Sequence, residues 1–142
     1  MTGFITQYGE NFLLDLVCRR VVSPEHLYLA LLTQDATKYS SGYTISEPTV
    51  AEYRRIKLGN APGNWVNSGG QMFNADDIEV PFNFLEQWPI IVGWALCDNA
   101  EGGNMLWGGG MLPWKPSPEA TASLPKGGLI IRTATYSSGL GR

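Results

Sequence analysis

Residues 90–97 read IIVGWALC, residues 98–103 read DNAEGG, and residues 104–112 read NMLWGGGML. A continuous apolar run of strand length, a cluster of Asp, Asn and Gly, and a second apolar run broken by glycines predict a β-hairpin with a buried first arm. Three consecutive glycines, Gly108 to Gly110, mark a bulge or a place where another backbone passes close. Outward from the hairpin the chain keeps to short apolar segments between turn clusters. Residues 26–33, HLYLALLT, set Leu27, Leu29 and Leu31 against His26, Tyr28, Ala30 and Leu32, as in a strand between two partly covered faces.

Residues 50–58 fit helix or strand; the preceding Pro48, their alternation and the Gly59-Asn60 turn favour a strand. Residues 72–73, 78–82 and 128–135 read as further strands, and residues 113–125 as a proline-bearing crossover. Residues 35–48, DATKYSSGYTISEP, and residues 60–70 read as loops, the first a candidate contact surface. In front of the strands, Ile5, Tyr8, Phe12 and Leu16 follow one helical face, which predicts an amphipathic helix over residues 4–18. Gly9 costs that helix about 1 kcal/mol relative to alanine, so it needs a surface to lie on. The expected architecture is mainly β: an antiparallel β-sandwich or jelly-roll-like barrel with one N-terminal amphipathic helix. Leu27, Leu29, Leu31, Val92, Trp94, Leu96, Leu129 and Ile131 are its expected core, each set repeating at period two.

The chain has 142 residues, the size of one ordinary domain, and its hydrophobic content of 44% suffices for a sizeable core. Residues 1–142 are expected to form one domain, with the helix at 4–18, the sandwich at 26–135 and a tail at 136–142. Seventeen glycines and nine prolines against 16% charged residues point to many turns between short elements. A net charge of −3 supplies no attraction to a phosphate backbone or an anionic membrane, so neither is expected as a partner. Arg19-Arg20 and Arg54-Arg55 read as solvated ends of elements rather than a binding stripe. The N-terminus lacks a basic region, an apolar run of signal length and a cleavage site, so secretion is not expected. Apolar runs such as residues 90–97 fall far short of the ~20 residues of a membrane helix.

Catalysis is disfavoured by composition. The single histidine, His26, lies on an alternating strand, and no serine or cysteine has a nucleophile context. Cys18 and Cys97 sit far apart beside apolar residues and read as buried free thiols. Asp76, Asp77 and Glu79 in one turn, and Asp98 and Glu101 in another, could in principle hold calcium or act as an acid/base pair. Turns favour Asp, Asn and Gly for backbone reasons, and the expectation is no metal, no cofactor and no catalytic residue. The glycine runs lack the lysine and the strand-loop-helix order of a phosphate loop. Among the five tryptophans, Trp88 and Trp94 read as core, whereas Trp65, Trp107 and Trp114 flank loops or glycine strands. Such rings serve a core, a subunit interface or a sugar-stacking platform.

Seven stretches in succession carry a family resemblance: Asn11-Phe12-Leu13-Leu14-Asp15, Leu27-Tyr28-Leu29-Ala30-Leu31 with Thr33, Glu52-Tyr53-Arg54-Arg55, Asn74 before residues 78–82, Trp94-Ala95-Leu96-Cys97-Asp98, residues 102–108, and Gly127-Gly128-Leu129-Ile130-Ile131. From about residue 8 to residue 132 the chain resembles small virion proteins of tailed phages, particularly of actinobacterial hosts, labelled tail-fibre or minor structural proteins. It departs from them at residues 107–118 and at Cys97. The resemblance implies a non-enzymatic structural component of a virion assembled in the host cytoplasm, serving as capsid decoration or as a tail, baseplate or fibre part. The implied partners are further copies of itself, a trimer or another symmetric oligomer, and other virion proteins. The alternative is a carbohydrate- or receptor-binding module of a tail fibre, with a host-surface glycan as ligand. The candidate interface residues are Phe4, Ile5, Tyr8, Phe12, Trp65, Trp107, Trp114 and Tyr136.

Overall fold

The computed structural model describes residues 3–118 and 123–133. Its elements in chain order are β1 (Phe4–Ile5), α1 (Gln7–Cys18), β2 (Leu27–Leu32), β3 (Ile56–Leu58), a 3₁₀ turn (Pro62–Asn64), β4 (Trp65–Ser68), β5 (Gln71–Asn74), β6 (Ile78–Glu79), β7 (Ile91–Cys97), β8 (Met105–Trp114), β9 (Ser123–Leu124) and β10 (Ile130–Ile131). The main sheet has the order β1-β8-β7-β2-β3; β10-β5-β4 form a second sheet, and β6 pairs with β9. All pairings are antiparallel, and the arrangement is the mainly β, sandwich-like one expected, with one helix.

The β7–β8 hairpin forms around a turn closed by Gly102 and Gly103, both at positive φ. Because β2 and β7 are inner strands, both of their faces are covered, and their alternating sets enter two cores. Leu29 stands opposite Leu96 and Leu31 opposite Trp94. This face shares the larger core with Ile78, Phe82, Phe84, Trp88, Leu129 and Ile131. Ala30, Leu32, Ala95, Cys97 and Met105 form the smaller core on the opposite face, against Phe4, Ala36 and Ile45. Full burial of an aliphatic side chain such as Leu96 or Ile91, both 0% exposed, contributes about 1.5–3 kcal/mol.

Two expected core residues, Leu27 and Val92, are only half-buried. The β7–β8 register shifts between Ile91 and Gly93, so Ile91 takes the core position that strict alternation assigns to Val92. A second shift between Leu96 and Cys97 leaves Leu106 as an extra residue on β8. The glycine run does admit another backbone. Gly108 faces Phe4 of β1, and a Cβ at Gly3 would strike the Gly108 carbonyl oxygen and the Trp94 ring.

Several expected boundaries move. The helix begins at Gln7 rather than residue 4, because Phe4 and Ile5 pair with Gly108 and Trp107. Thr6 separates the two elements: its Oγ1 accepts the Gly9 N–H at 2.9 Å as N-cap and donates to the Met105 carbonyl at 2.6 Å. Residues 50–58 supply a strand only at Ile56–Leu58, since Tyr53 and Arg55 turn inward to meet Glu47. Within the expected loop at 60–70, β4 pairs with β5 across Gly69-Gly70, a two-residue turn with φ of 62° and 77°. Of the expected last strand, Ile130–Ile131 is extended and paired with Phe73 and Met72; residues 134–135 and the tail at 136–142 lie outside the described residues. Within the expected crossover, β8 runs on through Pro113 to Trp114, and Ser123–Leu124 pairs with β6.

Candidate functional site

Where the β4–β5 hairpin meets β8 and α1, a groove of about 630 Å³ opens, walled by Leu13, Leu27, Trp65, Met72, Trp107 and Ile131. Asn67, Gln71 and Arg132 add polar groups to its lining, which contains no carboxylate among the described residues. Trp65 is held from behind: its indole N–H donates to the Gly59 carbonyl at 2.8 Å. The loop carrying it is cross-tied, with Asn64 Oδ1 accepting the Ala61 N–H at 2.9 Å and the Asn64 carbonyl accepting the Ala75 N–H at 2.9 Å. Trp107 is set by the sheet, opposite Ile5 on one side and Leu96 on the other. Its indole N–H is buried and meets no acceptor among the described residues. Arg132 donates through Nε to the Gly3 carbonyl at 3.2 Å.

The structure therefore places two of the candidate interface residues, Trp65 and Trp107, on one groove, and the other described candidates lie outside its lining. Ile5 is 1% exposed and belongs to the sheet interior, and Phe4, half-buried, packs against the smaller core. Tyr8, 40% exposed, stacks on the half-buried Phe12 along α1 with ring centroids 6.3 Å apart. Trp114 lies at the far end of β8, edge-on to Phe84 at 5.7 Å, in an aromatic cluster with Tyr53, Phe82 and Trp88. Phe84 holds a positive φ of 56°, a backbone conformation uncommon for a non-glycine residue, while its ring is 3% exposed. Tyr136 lies outside the described residues.

The polar groups that could suggest chemistry are engaged in shaping the fold. Arg55, expected at the surface, is buried: all five of its N–H donors point at acceptors. Nε and Nη2 each bond Glu47 at 3.0 Å, Nη1 bonds the Asn99 and Gly102 carbonyls at 2.8 Å, and Nη2 also bonds the Gly42 carbonyl at 2.9 Å. This clasp ties the loop at 35–48 to the hairpin turn, and Gly42 fits there because a Cβ would strike the Gly102 carbonyl. Tyr39 and Tyr43 project from the same loop, 71% and 82% exposed. Arg54 is exposed, its guanidinium 5.4 Å from the Phe82 ring centroid.

Asp98 organises the hairpin turn, accepting the Asn104 backbone N–H at 2.8 Å and the Asn104 side-chain amide at 2.9 Å. Asp77 accepts the Lys126 N–H at 2.9 Å. His26 is half-exposed just before β2, 3.6 Å from Glu25 and edge-on to Tyr28. Both thiols are free, but Cys18 is exposed on α1 rather than buried as expected, because it sits at the helix end beyond the packed turns. Burial pushes the Cys97 thiol up to about 12, so it is a poor nucleophile. Burial, followed by the hydrogen bond to Glu47, holds the Tyr53 phenol well above its ordinary value. Among the described residues no group of three or more His, Cys, Asp or Glu is placed to hold a metal ion, and no helix is long and apolar enough to cross a membrane.

Sequence reasoning missed the Arg55 clasp and the contribution of Leu13, Met72 and Arg132 to the groove. Nothing in local pattern marks those residues, since each joins the site from a different element. The Gly69-Gly70 pair was the available signal for the β4–β5 hairpin that carries Trp65. No curated protein matches the chain. A family model described as podophage GP4 fiber I protein gp80 matches residues 4–129, from β1 through the core residue Leu129, and includes both groove tryptophans. With most of its length matched, the chain belongs to that family of phage fibre proteins.

Proposed function

We propose that this protein is a non-enzymatic structural component of a podophage fibre, incorporated in the virion after assembly in the host cytoplasm. The observation that carries the reading is the family match over residues 4–129, which spans the whole main sheet and reaches the second. The engagement of Arg55, Asp98 and Cys97 in the fold supports it, since none is left poised for catalysis. In this reading the protein associates with copies of itself, a trimer first, and with other virion proteins; the actinobacterial host class comes from the sequence resemblance. Immunogold labelling of virions, with mass spectrometry of purified particles, tests it. Label is expected on fibres; label confined to the head, or absence of the protein from particles, overturns the reading.

A second reading is a carbohydrate- or receptor-binding module of the fibre. The observation favouring it is that Trp65 and Trp107, distant in sequence, wall one open groove. Saturable binding on a glycan array is expected only under this second reading.

A further inference from the structure

We propose that the Trp65–Trp107 groove recognises a carboxylate-bearing saccharide, with the tryptophans supplying stacking surface and Arg132 meeting the acid. The proposal rests on the carbohydrate-binding reading and narrows its ligand class. A sugar ring has an apolar face of C–H groups and an edge of hydroxyls, so its site needs flat apolar walls together with groups that both donate and accept. The groove has both. Trp65 is fixed by its hydrogen bond to Gly59 at 2.8 Å, which reduces the ordering needed when a ring stacks on it. Asn67 shares the face of the β4–β5 hairpin that carries Trp65 and Met72, Gln71 stands opposite Ser68 on the other face at the hairpin's end, and both line the groove with amides that donate and accept.

The charge selects the class. Among the described residues Arg132 is the one charged side chain on the lining, and no carboxylate pairs with it. Its Nε is anchored to the Gly3 carbonyl, while its terminal nitrogens meet no acceptor among the described residues. A guanidinium held at one end, on an apolar lining whose described residues include no acid, presents a fork suited to a carboxylate. A uronic-acid or other sugar-acid unit matches that fork while its ring lies on an indole. A purely apolar peptide would leave the guanidinium and both amides without partners.

The test uses the full chain on a panel of acidic oligosaccharides, each paired with its carboxyl-reduced counterpart. At least one acidic member is expected to bind saturably, and about 10- to 100-fold more tightly than its reduced form, the range for a hydrogen-bonded charge. Arg132→Gln is expected to lower acidic binding to the level of the reduced form with the melting temperature unchanged, and Trp65→Ala, which cuts a ring packed against the larger core, to remove binding of both at a lowered melting temperature. If Trp65→Ala unfolds the chain, Asn67→Ala, at an exposed position, takes its place and is expected to weaken both ligands. Equal binding of the acidic and reduced forms overturns the acid assignment and leaves the carbohydrate reading standing. Binding of neither form overturns both. Loss of self-association in Trp65→Ala without any glycan effect assigns the groove to a subunit contact and overturns the proposal.

Discussion

Arg55 shows how much one residue can decide. Its side chain is 2% exposed and its partner Glu47 21%, so the pair gains from a low local dielectric only because each donor is matched. Replacing Arg55 by Met leaves a carboxylate and three carbonyls without their donor. The expected loss is about 3–5 kcal/mol in a urea titration; a loss below about 1 kcal/mol would show that the clasp is dispensable. The nearby Cys97 and Tyr53 predict the response to alkali. Burial raises the folded Cys97 value from 9.0 to about 12, and burial with the Glu47 hydrogen bond raises Tyr53 above its ordinary 10.0. Well below pH 9.0 the folded and unfolded chains hold these protons equally. As pH rises further the unfolded chain releases protons that the folded chain keeps, so stability falls. Denaturant midpoints should be flat up to about pH 9 and decline above it, and Cys97→Ala should delay the decline toward the tyrosine range.

At the scale of elements, α1 inverts a familiar rule. A Gly→Ala change inside a helix ordinarily stabilises by about 1 kcal/mol. At Gly9 an added Cβ would strike the Leu106 carbonyl oxygen and approach Ile5 Cγ1 to 2.8 Å, because the helix lies directly on β8. Gly9→Ala is therefore expected to destabilise by about 1–3 kcal/mol, the range for overpacking. A rise in melting temperature would show that α1 is free to shift. The inner strands obey the opposite logic of lost volume. Leu29, 3% exposed between Leu96 and Ile56, should cost about 2–5 kcal/mol when cut to alanine, and a denaturant titration showing less than 1 kcal/mol would refute the two-core sheet.

At the scale of the whole molecule, the question is what the particle touches. The outer face of α1 leaves Tyr8, Leu14 and Val17 at 40%, 63% and 80% exposure, which suits the proposed self-association. Removing the N-terminus would not test this cleanly, since β1 belongs to the main sheet and the buried Thr6 ties the start of α1 to β8. Leu14→Asp with Val17→Asp changes only exposed positions. Sedimentation is expected to shift toward the monomer while the melting temperature stays put; unchanged sedimentation would place the subunit contact elsewhere.

The amino-acid sequence by itself determined the mainly β class, the β7–β8 hairpin, the inner strand β2 and the burial of Trp88 and Trp94. Each rests on local periodicity and turn chemistry, which the backbone obeys wherever the segment ends up. Thr6 and the Gly69-Gly70 pair were legible in principle, as a helix cap and a hairpin turn, and shift boundaries by a few residues. Tertiary structure alone decided the rest. A register shift put Ile91 rather than Val92 in the core, and the clasp drew Arg55 inward, because acceptors from residues 42, 47, 99 and 102 converge on one point. The groove is of the same kind: Leu13, Trp65, Trp107 and Arg132 come from four separate segments, and only the packing of sheet on sheet makes them neighbours.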